Sequence, residues 1–302
     1  MPSVNASHQK RPLAQAETEA TEAWYGLFKA FADSPSASAY VSLFQPDAVI
    51  VDGGLTSSYG GADIARSAEL LLKAIPDLKI KPVRSSSRNG SVFIETENCG
   101  SLDGKAVSWG TCYVATLTGD LASRFRIYAD HTQILKPLLS GAPDFPGYKE
   151  VWNEKMVGVG AAVDGRPDPF QFIDAYQKLW RNPTAMGFSE RYTVDGKILN
   201  PGMPRPITKP EILGYYEWLL RRIPDLSMAL MDWAGDDSMV YAEWLGTGKL
   251  GGKPFYHRVV DVFHFNDHGV YFGQAYYDTL KSIARLAPEV TKLREKLFVA
   301  SA

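Results

Sequence analysis

Ile75-Pro76-Asp77-Leu78 returns as Ile223-Pro224-Asp225-Leu226, 148 positions later. Holding that offset and moving outward keeps producing matches without a gap. Asp47 pairs with Asp195, Gly54 with Gly202, Glu69 with Glu217 and Glu95 with Glu243. Further on, Gly104-Lys105 pairs with Gly252-Lys253, and Tyr128 and Asp130 with Tyr276 and Asp278. Between residues 24 and 135 there are 22 identities, and other pairs exchange like for like, such as Phe28 with Tyr176. A register sustained over so long a stretch is a duplication, and each copy must be large enough to carry its own core.

The length of 302 residues suits two domains, and 45% hydrophobic with 22% charged residues describes a globular protein with apolar mass for two cores. Thirty-two basic residues stand against 34 acidic ones with no basic run, so neither nucleic acid nor a membrane surface is an expected partner. No apolar run has the length of a membrane helix, and residues 1–15 are polar without a secretory core; a cytoplasmic location is the default expectation. Cys99 and Cys112 are too few for a disulfide scaffold and lie in no metal-ligand spacing, so both read as small buried apolar residues and no metal site is expected.

Each copy begins with helical periodicity and ends with alternation. Residues 1–16 lack a pattern and are expected to be flexible. From residue 17, Ala20, Trp24, Leu27, Phe28 and Phe31 form one stripe; a short helix over 37–44 and a strand over 48–51 follow, and then a helix over 63–75 that Pro76 stops. Strands near 78–84, 91–99, 105–117 and 122–130 are separated by turn signals at Asn89-Gly90, Asp103-Gly104 and Gly119-Asp120. Residues 137–169 are rich in Pro and Gly and read as a linker between a first domain over 17–136 and a second over 170–302. Copy two repeats the plan. A capping box at Thr208-Lys209-Pro210-Glu211 opens its long helix, and a further helix over 279–298 closes the chain. Helices followed by a meander of strands define an α+β domain whose curved antiparallel sheet wraps its helices.

Such a sheet leaves a cone lined by alternate strand residues, where a small molecule fits. A two-residue turn at Gly251-Gly252 sets Ala242 opposite Asp261, Trp244 opposite Val259 and Gly246 opposite His257. Closing the next turn at Gly269 would set Gln274 opposite Asp261, Tyr276 opposite Val259 and Asp278 opposite His257. One face would then gather Trp244, His257, Asp261, Gln274, Tyr276 and Asp278, and its counterpart in copy one Thr96, Trp109, Tyr113, Arg126, Tyr128 and Asp130.

The residues resemble those of the nuclear-transport-factor-2-like superfamily, which includes ketosteroid isomerase and the SnoaL-like polyketide cyclases. Val49-Ile50-Val51-Asp52-Gly53 resembles the isomerase strand that ends in its general base, and Val260-Asp261-Val262-Phe263-His264-Phe265 the strand carrying its protonated aspartate. Tyr128-Ala129-Asp130-His131 and Tyr276-Tyr277-Asp278-Thr279 resemble the last strand of the cyclases, which ends in an acid–base aspartate. The resemblance implies tandem cone-shaped α+β barrels. In copy two it implies a tyrosine donor at Tyr176 and an acid at Asp261, with Asn200 where the base would stand. In copy one it implies Asp52 as base with Tyr113 at the acid position. It further implies chemistry without metal or organic cofactor, and pairing of domains within the chain or between copies.

Taken together these readings predict a cofactor-independent lyase, cyclase or isomerase acting on a small hydrophobic, aromatic or polyketide-like substrate. Its general acid–base groups would be drawn from Asp278, Asp261, His257, Tyr176, Asp52 and Asp130. Its cavity walls would come from Trp244, Tyr276, Gln274, Asn200, Trp109, Tyr113 and Tyr128. Plainer roles compete. Asp130 and Asp278 close strands ahead of helices, where an aspartate caps; Asp52 precedes two glycines; Tyr176 lies on a packing stripe. A non-catalytic ligand carrier or scaffold of the same fold is the alternative.

Overall fold

The computed structural model describes residues 10–52, 57–135, 138 and 168–279, and these divide into two compact units between Ile127 and Tyr128. The first sheet and its helices comprise α1 (Lys10–Asp33), α2 (Ala37–Val41), β1 (Phe44–Asp52), β2 (Ser57–Tyr59), α3 (Gly60–Ala74), β3 (Lys79–Arg88), β4 (Ser91–Leu102), β5 (Lys105–Thr118) and β6 (Leu121–Ala129). A short α4 (His131–Leu135) follows. The second set comprises α5 (Pro169–Arg181), α6 (Ala185–Ser189), β7 (Tyr192–Leu199), β8 (Ile207–Thr208), α7 (Lys209–Arg222), β9 (Ser227–Gly235), β10 (Met239–Leu250), β11 (Lys253–Asn266) and β12 (Gly269–Tyr276).

Both sheets have six strands in the same spatial order, β2-β1-β6-β5-β4-β3 and β8-β7-β12-β11-β10-β9. The duplicated sequence therefore folds twice into one α+β topology. Two expectations are corrected. Neither sheet closes into a barrel. Nor is either sheet purely antiparallel, because β1 lies parallel to β6, and β7 to β12. The helix-containing stretch between the first strand of each unit and its last brings these two strands side by side in the same direction.

Helix α1 begins at Lys10, ahead of the expected residue 17. Strand β1 begins at Phe44 and so takes in Pro46, which has no N–H for a ladder; its pairing with β6 shifts register between Phe44 and Val49. The proposed linker, apart from residues 138, 168 and 169, and the proposed C-terminal helix, apart from residue 279, lie outside the described residues. Three of the turn signals act as read. Asn89-Gly90, Asp103-Gly104 and Gly251-Gly252 all have positive φ at both positions, the backbone of two-residue hairpin turns whose twist suits the strands. The Asp103-Gly104 turn places Cys112 opposite Glu95. Cys112 is buried, but Cys99 is exposed, against expectation.

The repeated Ile-Pro-Asp-Leu has a structural reason. In each unit the isoleucine amide closes the long helix, Ile75 on Leu71 and Ile223 on Leu219, and proline prevents another turn. The aspartate then reaches a neighbouring strand: Asp77 Oδ1 accepts from the Ser101 amide at 2.7 Å, and Asp225 Oδ1 from the Lys249 amide at 2.8 Å. Just before each of those residues stands a glycine. A β carbon at Gly100 would lie 2.4 Å from Ile75 Cγ2, and one at Gly248 2.7 Å from Ile223 Cγ2. The motif is thus a helix-to-strand clamp with a glycine seat.

The core of the second unit is strongly aromatic. Phe172, Tyr176, Trp180, Phe188, Tyr216, Trp244 and Phe263 are all buried, with Phe188 stacked on Tyr216 at 4.2 Å between centroids. Each such side chain contributes about 1.5–3 kcal/mol on burial. Among the described residues, no helix is long and apolar enough to cross a membrane.

Candidate active site

Between α5, α7 and the inner face of the second sheet lies a cavity of about 210 Å³. Strands β10 and β11 are in the register expected from their turn, with Ala242 opposite Asp261, Trp244 opposite Val259 and Gly246 opposite His257. Alternation therefore sends His257, Val259, Asp261 and Phe263 toward the cavity.

Strand β12 is displaced by one residue from the expected register. A bulge between His264 and Phe265 sets Ala275 opposite Asp261 and Tyr276 opposite Val260. Gly273, Ala275 and Tyr277 thus share the inner face. Gln274 still borders the cavity, whereas Tyr276 and Asp278 do not. The same gathering brings in Tyr176 and Asn200, and adds Trp180, Tyr192, Tyr215, Tyr216, Trp218 and Arg222, which the sequence reading did not single out. Trp244 is fully buried behind this wall, packed on the Tyr176 ring at 5.7 Å.

Asp261 is the one carboxylate among the lining residues. Burial in this apolar setting raises its pKa to about 7, because the charged form loses water that no described residue replaces. Four phenols surround it electrostatically. Burial first, with the Asp261 charge among the further causes, raises the pKa values of Tyr176, Tyr192 and Tyr216, and that of Tyr215 to about 12. All four stay neutral and keep a proton to donate. The Tyr176 and Tyr216 hydroxyls lie 3.3 Å apart, and Tyr215 also hydrogen-bonds the side chains of Asn200 and Tyr277. His257 packs edge-on against Tyr277 at 4.7 Å.

The first unit holds different groups at the equivalent places. Tyr113 stands for Asp261, and its ring stacks on Phe125 at 5.2 Å, where the second unit has Gly273. Phe28, Tyr40 and Phe44 add edge contacts to that pair, at 5.5 Å to Tyr113 and at 6.4 and 5.3 Å to Phe125. In the first unit these places are thus held by a cluster of rings. Asp52 ends β1 half-buried, close enough for its charge to help raise the Tyr113 pKa, though burial is the larger cause. Trp109 is buried on β5.

Asp130 and Asp278 belong to a separate buried cluster in the second unit. His131 Nδ1 and Asp278 Oδ2 are 3.2 Å apart. Asp130 accepts from the Thr279 hydroxyl at 2.6 Å and from the amides of Thr279 and Thr132, the last a bond at the start of α4. Burial raises the Asp130 pKa against the pull of the Thr279 bonds. Tyr128 is also buried and donates to Glu243. Among the described residues no group of His, Cys, Asp and Glu could hold a metal ion.

The residues the sequence reading missed were accessible in one way. Comparing the copies at the 148-residue offset pairs Gly273 with Phe125 and Tyr216 with Ala68, and such large changes of size within a shared fold mark where the two interiors differ.

The model of the SnoaL-like domain family matches residues 171–271, which lie within the second unit. Three solved structures illustrate the likeness. A protein with a ketosteroid isomerase-like protein fold from Catenulispora acidiphila DSM 44928, in complex with trimethylamine, is 17% identical with a TM-score of 0.36, covering 40% of this chain and 93% of its own. A protein described as a SnoaL-like polyketide cyclase from Jannaschia sp. CCS1 is 16% identical with a TM-score of 0.38, covering 42% and 96%. A phenazine biosynthesis-related protein from Pseudomonas aeruginosa is 14% identical with a TM-score of 0.40, covering 44% and 96%. No curated protein matches the sequence.

Proposed function

We propose that the second unit is a cofactor-independent lyase, cyclase or isomerase that moves a proton on a small, flat, hydrophobic carbon acid, with Asp261 as the proton-transferring group. The observation that carries this reading is the placement of one carboxylate, its pKa raised by burial to about 7, in a cavity walled by aromatic rings and neutral phenols. Near neutral pH a group of that pKa is partly ionised, so the same side chain can take a proton and return it.

In the reaction, the ionised Asp261 oxygen takes a proton from carbon next to a carbonyl. The C–H bonding pair moves into the new double bond and the carbonyl pair onto oxygen. Tyr176 and Tyr216, paired at 3.3 Å, and Tyr215, linked to Asn200, are the donors for that developing oxyanion. Delivery of the proton to a different carbon isomerises the ligand, and delivery to a departing hydroxyl dehydrates it. The first unit has Tyr113 in place of this acid and is given no step in this scheme.

The test is exchange of the α-protons of 2-tetralone in heavy water, followed by NMR. Wild-type protein is expected to accelerate exchange and Asp261→Asn to abolish the acceleration while still binding the ketone. Binding of the ketone with no acceleration by wild type would support a ligand carrier instead, and equal acceleration by both proteins would remove Asp261 from the proton transfer.

A further inference from the structure

The cavity has one lining residue that is exposed to solvent, Arg222, the last residue of α7. It is also the one lining side chain with a fixed positive charge. Its guanidinium lies over the Trp218 ring, 5.5 Å from the centroid, and among the described residues no carboxylate forms an ion pair with it. Stacking on an indole holds the guanidinium plane and leaves its N–H edge to bond a planar anion. Arginine at a helix C-terminus also has a plainer use, since it complements the helix dipole. Arg221, exposed beside it, shares that use and is absent from the cavity wall.

The copies again differ in a telling way. Where the second unit has Trp218 and Arg222 the first has Leu70 and Ala74, and where it has Gly273 and Asp261 the first has Phe125 and Tyr113. The acid at 261, the indole and the rim cation therefore occur together in one copy, and none of the three stands at the equivalent position of the other. A cavity whose inner wall offers phenols and a carboxylate, and whose rim offers a guanidinium, suits a ligand with an apolar ring inside and a negative group outside.

We propose that Arg222, braced on Trp218, selects flat aromatic ligands bearing a carboxylate at the end that faces solvent. This rests on the reading of the same cavity as the site of proton transfer, but it is separable from it. The ring system occupies the aromatic interior and the carboxylate meets the guanidinium edge; Arg222 touches no reacting atom and determines which ligand enters.

The experiment is calorimetric titration of the whole chain with 2-naphthoate and with its neutral isostere 2-naphthamide. At about pH 6 the probe is ionised and Asp261 mostly protonated, so the two negative groups do not oppose each other. Wild-type protein is expected to prefer the carboxylate roughly fivefold, the scale of an exposed ion pair, and to lose that preference in high salt. Arg222→Gln should bind both probes equally with amide affinity unchanged, and Arg221→Gln should behave as wild type. Equal binding by wild type, a preference that survives Arg222→Gln, or an equal loss in Arg221→Gln would overturn the proposal, as would failure of both probes to bind. Proton exchange in the neutral 2-tetralone reports separately on Asp261: it can fail while the carboxylate preference stands, and the preference can fail while exchange stands.

Discussion

The hydroxyl of Tyr192 lies 2.5 Å from the position a β carbon on residue 273 would take, so the tyrosine occupies space that only a glycine at 273 leaves free. In the first unit the equivalent pair is Phe44 and Phe125, which meet edge to face at 5.3 Å. Gly273→Ala is accordingly expected to push Tyr192 inward, lowering ligand affinity and costing about 1–3 kcal/mol of stability. Tyr192→Phe, which removes the obstructing oxygen, should recover most of the loss in the double variant. Thermal melts and ligand titration of the two single variants and the double give the comparison; additive losses would refute the steric account.

Asp261 gives a pH-dependent stability with a definite sign. Its pKa is about 7 in the folded chain, above the ordinary carboxylate value of about 3.9 in the unfolded one. Between those limits the folded state holds a proton that the unfolded state has lost, so stability is full below about pH 4, falls as pH rises toward 7 and then levels. Asp261→Asn should lack that fall and be the more stable protein at pH 8. Urea unfolding of both proteins across this range decides the matter, and parallel curves would mean that Asp261 is not desolvated.

The Asp278–His131 contact is expected to hold the structure together more than to serve catalysis, because neither residue borders the cavity. Asp278→Asn should lower stability by about 1–3 kcal/mol, the cost of a poorly satisfied buried partner. The 2-tetralone exchange rate per folded molecule should not change. A large drop in exchange with an unchanged Tm would return Asp278 to the catalytic role that its position on the last strand first suggested.

The clamp gives a test in the first unit. Gly100→Ala would place its methyl 2.4 Å from Ile75 Cγ2 and should destabilise by about 1–3 kcal/mol. Ile75→Val removes only the δ methyl and keeps Cγ2, so it should relieve little, whereas Ile75→Ala in the same background should relieve the clash at the expense of a cavity. A Gly100→Ala protein that melts like wild type would show the seat to be roomier than described.

The duplication was legible because identity at a constant offset survives where the two copies share framework contacts, and the Ile-Pro-Asp-Leu clamp is such a contact. Strand pairing was legible wherever a two-residue turn fixed it, as Gly251-Gly252 did for β10 and β11. It was not legible for β12. Opposite His264 and Phe265 the strand β12 carries one extra residue, Tyr271, and no side chain there announces an interruption of the ladder; that single step moved Tyr276 off the inner face and Tyr277 onto it. The parallel pairing of first and last strands was hidden for a related reason, since alternation reports which face a residue takes and is silent about which strand lies alongside. Asp261, His257, Tyr176, Asn200 and Gln274 were read from strand parity and resemblance and do line one cavity, whereas Tyr192, Tyr215 and Tyr216 looked like ordinary packing residues, which on buried faces they also are.

The glycine-seated clamp has an implication for how two halves of one chain can drift apart. Its contacts sit at the corner where helix turns into strand and involve none of the positions at which Phe125 became, or replaced, Gly273. Scaffold and interior are therefore mutable on separate accounts: one copy can exchange its interior side chains while the corner that ties helix to strand stays as it was, so either half remains a frame into which new chemistry can be installed.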